Sequence, residues 1–202
     1  MSVSFAIARD FSLVGDADLV ERALVGREEC FEELVRRYQR PIAAYTYRLV
    51  GNYESALDLT QDVFIKIYSS LHRYRPEYKF STWIYKIAHN AAVDHLRRNA
   101  VREQSIVAQS DGETYDLPIE SNLPTPEQLS ERAERRSEIE ALVSQLQPIY
   151  RELVVLRHAQ DLSYDEIAEV TNLPLGTVKN RLFRAREALR EMLLQRGITS
   201  VQ

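Results

Sequence analysis

Residues 163–190 read SYDEIAEVTNLPLGTVKNRLFRAREALR. Ser163 is a candidate helix N-cap, and Glu166 three residues on completes a capping box. Asn172, Pro174 and Gly176 interrupt the helical pattern, and Thr177 opens a second run. The spacing predicts two short helices joined by a tight turn, the layout of a helix-turn-helix whose second helix enters the DNA major groove. At about 100° per residue, Val178, Leu182, Ala185 and Leu189 share one stripe of that second helix and would face a core. Asn180, Phe183 and Arg184 fall opposite, with Lys179, Arg181 and Arg186 on their flanks. Asn and Arg suit bidentate contacts with adenine and guanine edges, and an exposed Phe can touch a thymine methyl. The flanking cations suit phosphates, which position a helix without reading sequence. Residues 177–196 hold six Lys or Arg against two Glu, a net of +4. An ordinary solvated helix would mix its charges more evenly and would have no use for an outward Phe.

Working outward, the charge of the whole chain is −4 over 202 residues, which taken alone argues against a DNA partner. Its distribution reverses that inference. Residues 73–102 carry seven Lys or Arg and two acids, a net of +5, whereas residues 103–141 carry three Arg and ten acids, a net of −7. The first 35 residues hold eight acids and three Arg, a net of −5. Two basic zones are thus separated by an acidic one, and net charge hides both.

The pattern predicts an all-α protein of two small helical domains joined by a flexible acidic linker, the C-terminal domain being the helix-turn-helix. Hydrophobic residues make up 45% of the chain, glycines number only six, and no alternating strand pattern of useful length occurs. Apolar residues recur at helical spacing from Asp18 to Val50, with Gly26 and Pro41 as expected breaks or kinks. A second helix is expected from Tyr53 to His72, with Gly51-Asn52 as turn and cap, and a third from a Ser81 cap to about Arg98. The expected division is an N-terminal tail (1–17), a first domain (18–98), a linker (99–129), a second domain (130–196) and a C-terminal tail (197–202). In the linker Ser, Gln, Asp, Gly, Asn and Pro dominate and periodicity is lost. A helix is expected to resume near Pro126 and to break at Gln147-Pro148. No apolar run is long enough to span a membrane and no signal peptide is visible, so membrane insertion is not expected. With Cys30 as the single cysteine, no internal disulfide can form, and a cytoplasmic location is expected. Cys30 reads as a small core residue.

The third helix, FSTWIYKIAHNAAVDHLRR, adds aromatics to the basic pattern. Ile84, Ile87, Ala88, Ala91 and His95 share an inward stripe, and Trp83, Lys86, Asn90 and Arg97 an outward one. An exposed Trp beside cations suits single-stranded nucleic acid, whose bases stack on aromatics while cations follow the backbone. The preceding loop, His72 to Phe80, interleaves aromatic and basic residues in the same way. Trp83 packing on a neighbouring helix is the plainer alternative. On the second helix, Ala56, Thr60, Val63, Phe64, Ile67 and Leu71 form a core face, leaving Asp58, Asp62 and Ile65 outward with Gln61 beside them. An exposed isoleucine among acids does not suit DNA but does suit a protein surface.

Together these segments resemble the bacterial RNA polymerase sigma factors of the extracytoplasmic-function (ECF) class, over about residues 18–98 and 130–195. Asp58-Leu59-Thr60-Gln61-Asp62-Val63-Phe64 is similar to the polymerase-binding helix. Phe80, Trp83, Ile84, Ile87, Ala88, Asn90, Asp94 and Arg97-Arg98 match the promoter-melting helix. Gly176-Thr177-Val178-Lys179-Asn180-Arg181 and Arg184-Ala185-Arg186 match the upstream-element reader; Asn180 departs from the serine common there, which bears on base preference. The resemblance implies that Asp58, Gln61, Asp62 and Ile65 dock on the clamp helices of the largest polymerase subunit, with a further contact at the flap region. It implies that Asn90 and the loop through Tyr74, Tyr78 and Phe80 capture a flipped base of the minus-ten element. Trp83, Lys86, Arg97 and Arg98 would support the opened strand. Thr177, Lys179, Asn180, Arg181, Phe183, Arg184 and Arg186 would bind the minus-thirty-five element. It further implies partners: core RNA polymerase, promoter DNA in double- and single-stranded form, and an anti-sigma factor. The acidic linker would thread through positively charged polymerase channels.

Two other functions are open. A conventional helix-turn-helix regulator, acting without replacing the sigma subunit, explains residues 163–190 but not Trp83, Asn90 and the aromatic loop, and no dimerisation helix is evident. An enzyme acting on DNA has little to rest on. His72, His89, His95 and His158 show no metal-ligand spacing and no phosphate loop is present, so no catalytic residue, metal or cofactor is expected. Asp58 and Asp62 sit one turn apart and could in principle bind Mg²⁺.

Overall fold

A computed structural model of the chain describes residues 11, 13–103 and 138–196. The expected linker beyond residue 103, the helix start near Pro126 and both chain ends lie outside the described residues. Helix α1 spans Asp16–Leu24, α2 Glu28–Val50, α3 Tyr53–Ser70 and α4 Phe80–Glu103. Residues 138–145 form α5, Pro148–Val154 α6, Tyr164–Thr171 α7 and Leu175–Gln195 α8. No strand occurs among the described residues.

The boundaries follow local chemistry. Gly26, at φ 90°, separates α1 from α2 as expected, and Gly51, at φ 72°, ends α2 in the left-handed region that glycine enters without penalty. The Asn52 side chain then caps α3 by accepting from the Ser55 N–H at 2.9 Å. Pro41 does not break the helix: α2 continues through it. Its missing hydrogen bond and ring clash cost about 3 kcal/mol in a helix interior. Burial of Leu34 on one side and of Ile42 and Tyr45 on the other offsets that cost. Helix α4 differs from expectation at both ends. It begins at Phe80 rather than after a Ser81 cap, with the Trp83 N–H reaching the Lys79 carbonyl, and it continues past Arg98 to Glu103. Expected tail residue Asp16 opens α1 and is bonded into the domain (below).

The first domain is a four-helix packing around Leu19, Ile42, Val63, Ile67 and Ile84, all buried, with Cys30 in the same core. Thr46 and Thr60 bring their hydroxyls together at 3.1 Å between α2 and α3, and each hydroxyl also lies within hydrogen-bond distance of a carbonyl one turn back. In the second domain Leu142, Leu153, Leu156, Ile167 and Leu182 are buried. The Arg151 guanidinium donates to the Ser144 and Leu146 carbonyls, satisfying the open end of α5 where the chain turns into α6. A π-type turn, Val155–Ala159, leads from α6 toward α7. The two domains are not separate bodies: their buried residues form one continuous apolar cluster, with α4 against α7 and α2 against α6.

Candidate nucleic-acid and protein interfaces

The helix-turn-helix is built as the capping pattern requires. Ser163 Oγ accepts from the Glu166 N–H at 3.2 Å, and Glu166 Oε2 accepts from the Ser163 N–H at 2.7 Å. Asn172, at φ 55°, makes the left-handed turn after α7. Helix α8 then starts two residues before Thr177, with Pro174 at its cap and Gly176 already inside its first turn. Val178, Leu182 and Ala185 are buried and Leu189 is half-buried, so the inward stripe is as expected. On the opposite face Lys179, Asn180 and Arg184 are exposed, and Phe183 leaves 60% of its surface open. Arg184 Nε donates to Asn180 Oδ1 at 3.3 Å, so the two base-reading candidates hold each other in the unbound protein. Thr177 and Arg181 are half-buried at the edge of this face. With Tyr150, Gly176, Asn180 and Arg184 they line a cleft of about 320 Å³. Arg186 is exposed but committed: it donates to the Tyr164 hydroxyl at 2.8 Å and to the Leu182 carbonyl. The Arg157 guanidinium lies over the Tyr164 ring, 5.6 Å from its centroid. Tyr164 thereby fixes α7 against α8. No periodicity marks it, and only its place just after the cap hints at a hinge role.

Helix α4 and the preceding loop form the second face. Tyr74, Phe80 and Trp83 make a triangle of ring contacts with centroids 5.4–5.7 Å apart, and Tyr38 adds an edge contact to Phe80. Phe80 is buried at the base of this cluster, so it supports the loop rather than presenting its ring. Trp83 is half-buried and packs on Tyr74 and Phe80, between the outward and the packed alternatives. Lys86 is half-buried, whereas Tyr78, Asn90, Arg97 and Arg98 are exposed. The Tyr74 hydroxyl donates to the Tyr78 carbonyl at 2.8 Å and sets the curve of the loop. Below it opens a cavity of about 360 Å³ whose walls include Asp16, Tyr74, Tyr78, Lys79 and Ser81. Asp16 carried no signal in the sequence. Arg37 holds one of its oxygens at 2.7 Å and the Tyr38 hydroxyl the other at 2.5 Å. Burial and the Asp16 carboxylate push the Tyr38 hydroxyl well above its ordinary pKa, so it remains a donor.

The third face lies on α3. Asp58, Gln61, Asp62 and Ile65 are all exposed, Ile65 with 67% of its surface open. Leu57 and Tyr68 extend the same strip, giving an apolar line edged by acids. Such a strip suits a protein surface better than a phosphate backbone. Among the described residues no group of His, Cys, Asp and Glu could hold a metal ion, and no helix is long and apolar enough to cross a membrane.

Comparison with known proteins gives these faces a family. The Sigma-70 region 2 family model matches residues 34–102 and the Sigma-70 region 4 model residues 136–189. The RNA polymerase sigma-H factor of Pseudomonas aeruginosa is 36% identical over 180 residues, covering 88% of this chain and 93% of the relative. The ECF RNA polymerase sigma factor SigW of Bacillus subtilis is 34% identical over 176 residues, covering 86% and 94%. Among solved structures, the sigma factor RpoE in complex with the anti-sigma factor NepR, from Bartonella quintana, superimposes with a TM-score of 0.67 at 20% identity, over 81% of this chain and 96% of that one. That likeness bears on the fold alone. On the sequence matches, the chain belongs to the ECF RNA polymerase sigma factors, the subunits that direct the polymerase to promoters.

Proposed function

We propose that the three faces divide the work of initiation between them. The strip Asp58, Gln61, Asp62 and Ile65 docks on the clamp helices of the largest polymerase subunit, and the second domain meets the flap region. Asn90 and the loop through Tyr74 and Tyr78, with Phe80 beneath, take a flipped base of the minus-ten element. Trp83, Lys86, Arg97 and Arg98 hold the opened strand. Asn180, Phe183 and Arg184 read the minus-thirty-five element, while Thr177, Lys179 and Arg181 meet its phosphates and Arg186 braces the helix. The observation that supports this most is the coexistence, on one chain, of an exposed acidic-apolar strip on α3 with two separate basic faces on α4 and α8. A regulator acting beside another sigma subunit would use the α8 face and leave the α4 face and its cavity without a role.

In this reading the protein works in the cytoplasm, where the polymerase is, and catalyses nothing itself. An anti-sigma factor is its natural antagonist, since the RpoE relative from Bartonella quintana is seen in complex with one. Run-off transcription with core polymerase over a genomic promoter library tests the function. Promoter-dependent transcripts that require this chain are expected, and their absence across the library would sink the assignment.

A further inference from the structure

The cavity under the Tyr74–Phe80 loop has one polar wall that comes from outside α4 and its loop. Asp16, the first residue of α1, lines it together with Tyr74, Tyr78 and Ser81. Its carboxylate is held from both sides: Arg37 Nη1 donates to Oδ1 at 2.7 Å and the Tyr38 hydroxyl to Oδ2 at 2.5 Å. Arg37 has no freedom to turn elsewhere, because its Nε donates to Glu33 at 2.8 Å and its Nη2 to the Phe11 carbonyl at 2.6 Å. Glu33 is held in turn by the Nε and Nη2 of Arg36, both at 2.7 Å. A relay of charged side chains, Arg36, Glu33, Arg37 and Asp16, therefore leads across α2 and ends at the cavity wall. The Asp16 side chain itself remains 25% exposed.

We infer that Asp16 sets base specificity in this cavity: its carboxylate accepts from the exocyclic amine of the flipped base, so cytosine, adenine or guanine is taken and thymine is rejected. The inference rests on the reading above in which the α4 loop receives such a base, and it names the chemistry that the base must carry. A carboxylate offers roughly four acceptor sites. Arg37 and Tyr38 use one on each oxygen, which leaves acceptor capacity on the side that lines the cavity.

The rest of the cavity leaves the choice to this group. Its walls carry two carboxylates, Asp16 and Glu77, and their one cation, Lys79, is paired with Glu166 at 2.8 Å. A phosphate entering there would meet like charge, whereas a neutral base edge with N–H donors would not. The rings of Tyr74 and Tyr78 can stack on any base, since every base has a π-face. The volume, about 360 Å³, lies in the range of small-ligand sites and admits a purine or a pyrimidine. Stacking and size are thus indifferent, and discrimination falls to hydrogen bonding on the base edge. Cytosine and adenine present an amine that Asp can accept from, and guanine carries its own amine at N2. Thymine has none, and its carbonyls flank the single ring N–H, so a fixed carboxylate repels it.

A purely structural Asp16 is the competing account. An acid in the first turn of α1 complements the helix dipole, and its bond to Arg37 ties α1 to α2. That role predicts a loss of stability that is the same whatever base is offered, so the test reads base dependence. Full-length chain with core polymerase is assayed by single-round run-off transcription on a promoter recovered from the genomic library. An abasic site is placed at each minus-ten position of the nontemplate strand in turn, and the position where base loss costs most is then varied. For the parent, thymine there should reduce transcription about tenfold relative to the best base. Deleting only the amine, with 2-pyrimidinone for cytosine or purine for adenine, should cost about as much. In Asp16→Ala these differences should shrink to within about threefold. Asp16→Asn, which keeps the side-chain shape should the alanine variant fold poorly, should shrink them in the same direction. A parent indifferent to the amine overturns the inference, as does a variant that loses activity in equal proportion on every template. If no minus-ten position is sensitive to base loss, the flipped-base reading itself fails and the inference falls with it.

Discussion

Asn90 and Arg184 are each an exposed polar side chain on the outward face of a helix whose other face is packed, and the proposed division of labour between the two domains is tested most directly at them. Asn90 stands on α4 two turns beyond the Tyr74–Phe80–Trp83 cluster, without a structural bond that would explain its exposure. Replacing it with Ala should impair strand opening several-fold more than initial promoter binding. Permanganate reactivity of the melted region, read beside gel-shift affinity of the same holoenzyme, measures both; equal losses would refute the division. Arg184 is free to leave Asn180 for a guanine edge, a bidentate contact that discriminates by roughly 1–3 kcal/mol. Arg184→Ala should accordingly weaken closed-complex formation by about that much and relax preference at one base position, with little change in opening once bound. A uniform loss across all promoter sequences would instead make it a phosphate contact. Phe80 belongs to a different class: it is buried, so Phe80→Ala should act through stability and loop shape.

At the scale of elements, what the sequence disclosed depended on whether the signal was local. The Ser163–Glu166 box, the Asn52 cap and the breaks at Gly26 and Gly51 are each set by a few neighbouring atoms, and all were legible. At Pro41 the sequence left break and kink open; the helix continues there, and tertiary burial of Leu34, Ile42 and Tyr45 offsets the local penalty. The start of α4 at Phe80 was hidden for a related reason, since the aromatic cluster, not a capping side chain, fixes the entry of the chain. The roles of Asp16 and Tyr164 depend on partners 21–22 residues away, and no periodic pattern carries that. The capping box gives a direct test. Ser163→Ala removes one of two reciprocal bonds at the start of α7 and should cost about 1 kcal/mol of stability. Because α7 carries Tyr164, which braces Arg186 of α8, binding to an upstream-element duplex should weaken as well. Ser163→Asp, which restores an acceptor, should recover most of both losses in thermal melts and gel shifts. A Ser163→Ala chain indistinguishable from the parent in both would show that the cap does not govern the reading helix.

For the molecule as a whole, the sequence showed two domains and an uneven charge, but not that the domains share a core, since the bonds between them join residues 63–107 positions apart. Those bonds and the α1–α2 contact both rest on carboxylates, which ties the stability of the folded protein to acid. Arg36 and Arg37 hold the buried Glu33 carboxylate below its ordinary value of 4.5, the Arg36 bond being the largest cause and burial opposing it. Burial raises Glu166, but its bonds from Lys79 and Ser163 outweigh that and bring it below 4.5 as well. A folded-state value lower than the unfolded one means that the unfolded chain binds protons first. The stabilisation is therefore complete above about pH 4.5–5 and is lost as pH falls through the depressed folded values. Thermal melts should show a transition temperature nearly constant from pH 7 to 5 and falling steeply below 4.5. Glu166→Gln should lower the plateau and flatten the acid limb, because the variant has no carboxylate left to protonate at that site. Glu33→Gln should do the same more strongly, its side chain being the more buried of the two. An acid limb as steep in both variants as in the parent would place the acid sensitivity elsewhere in the chain.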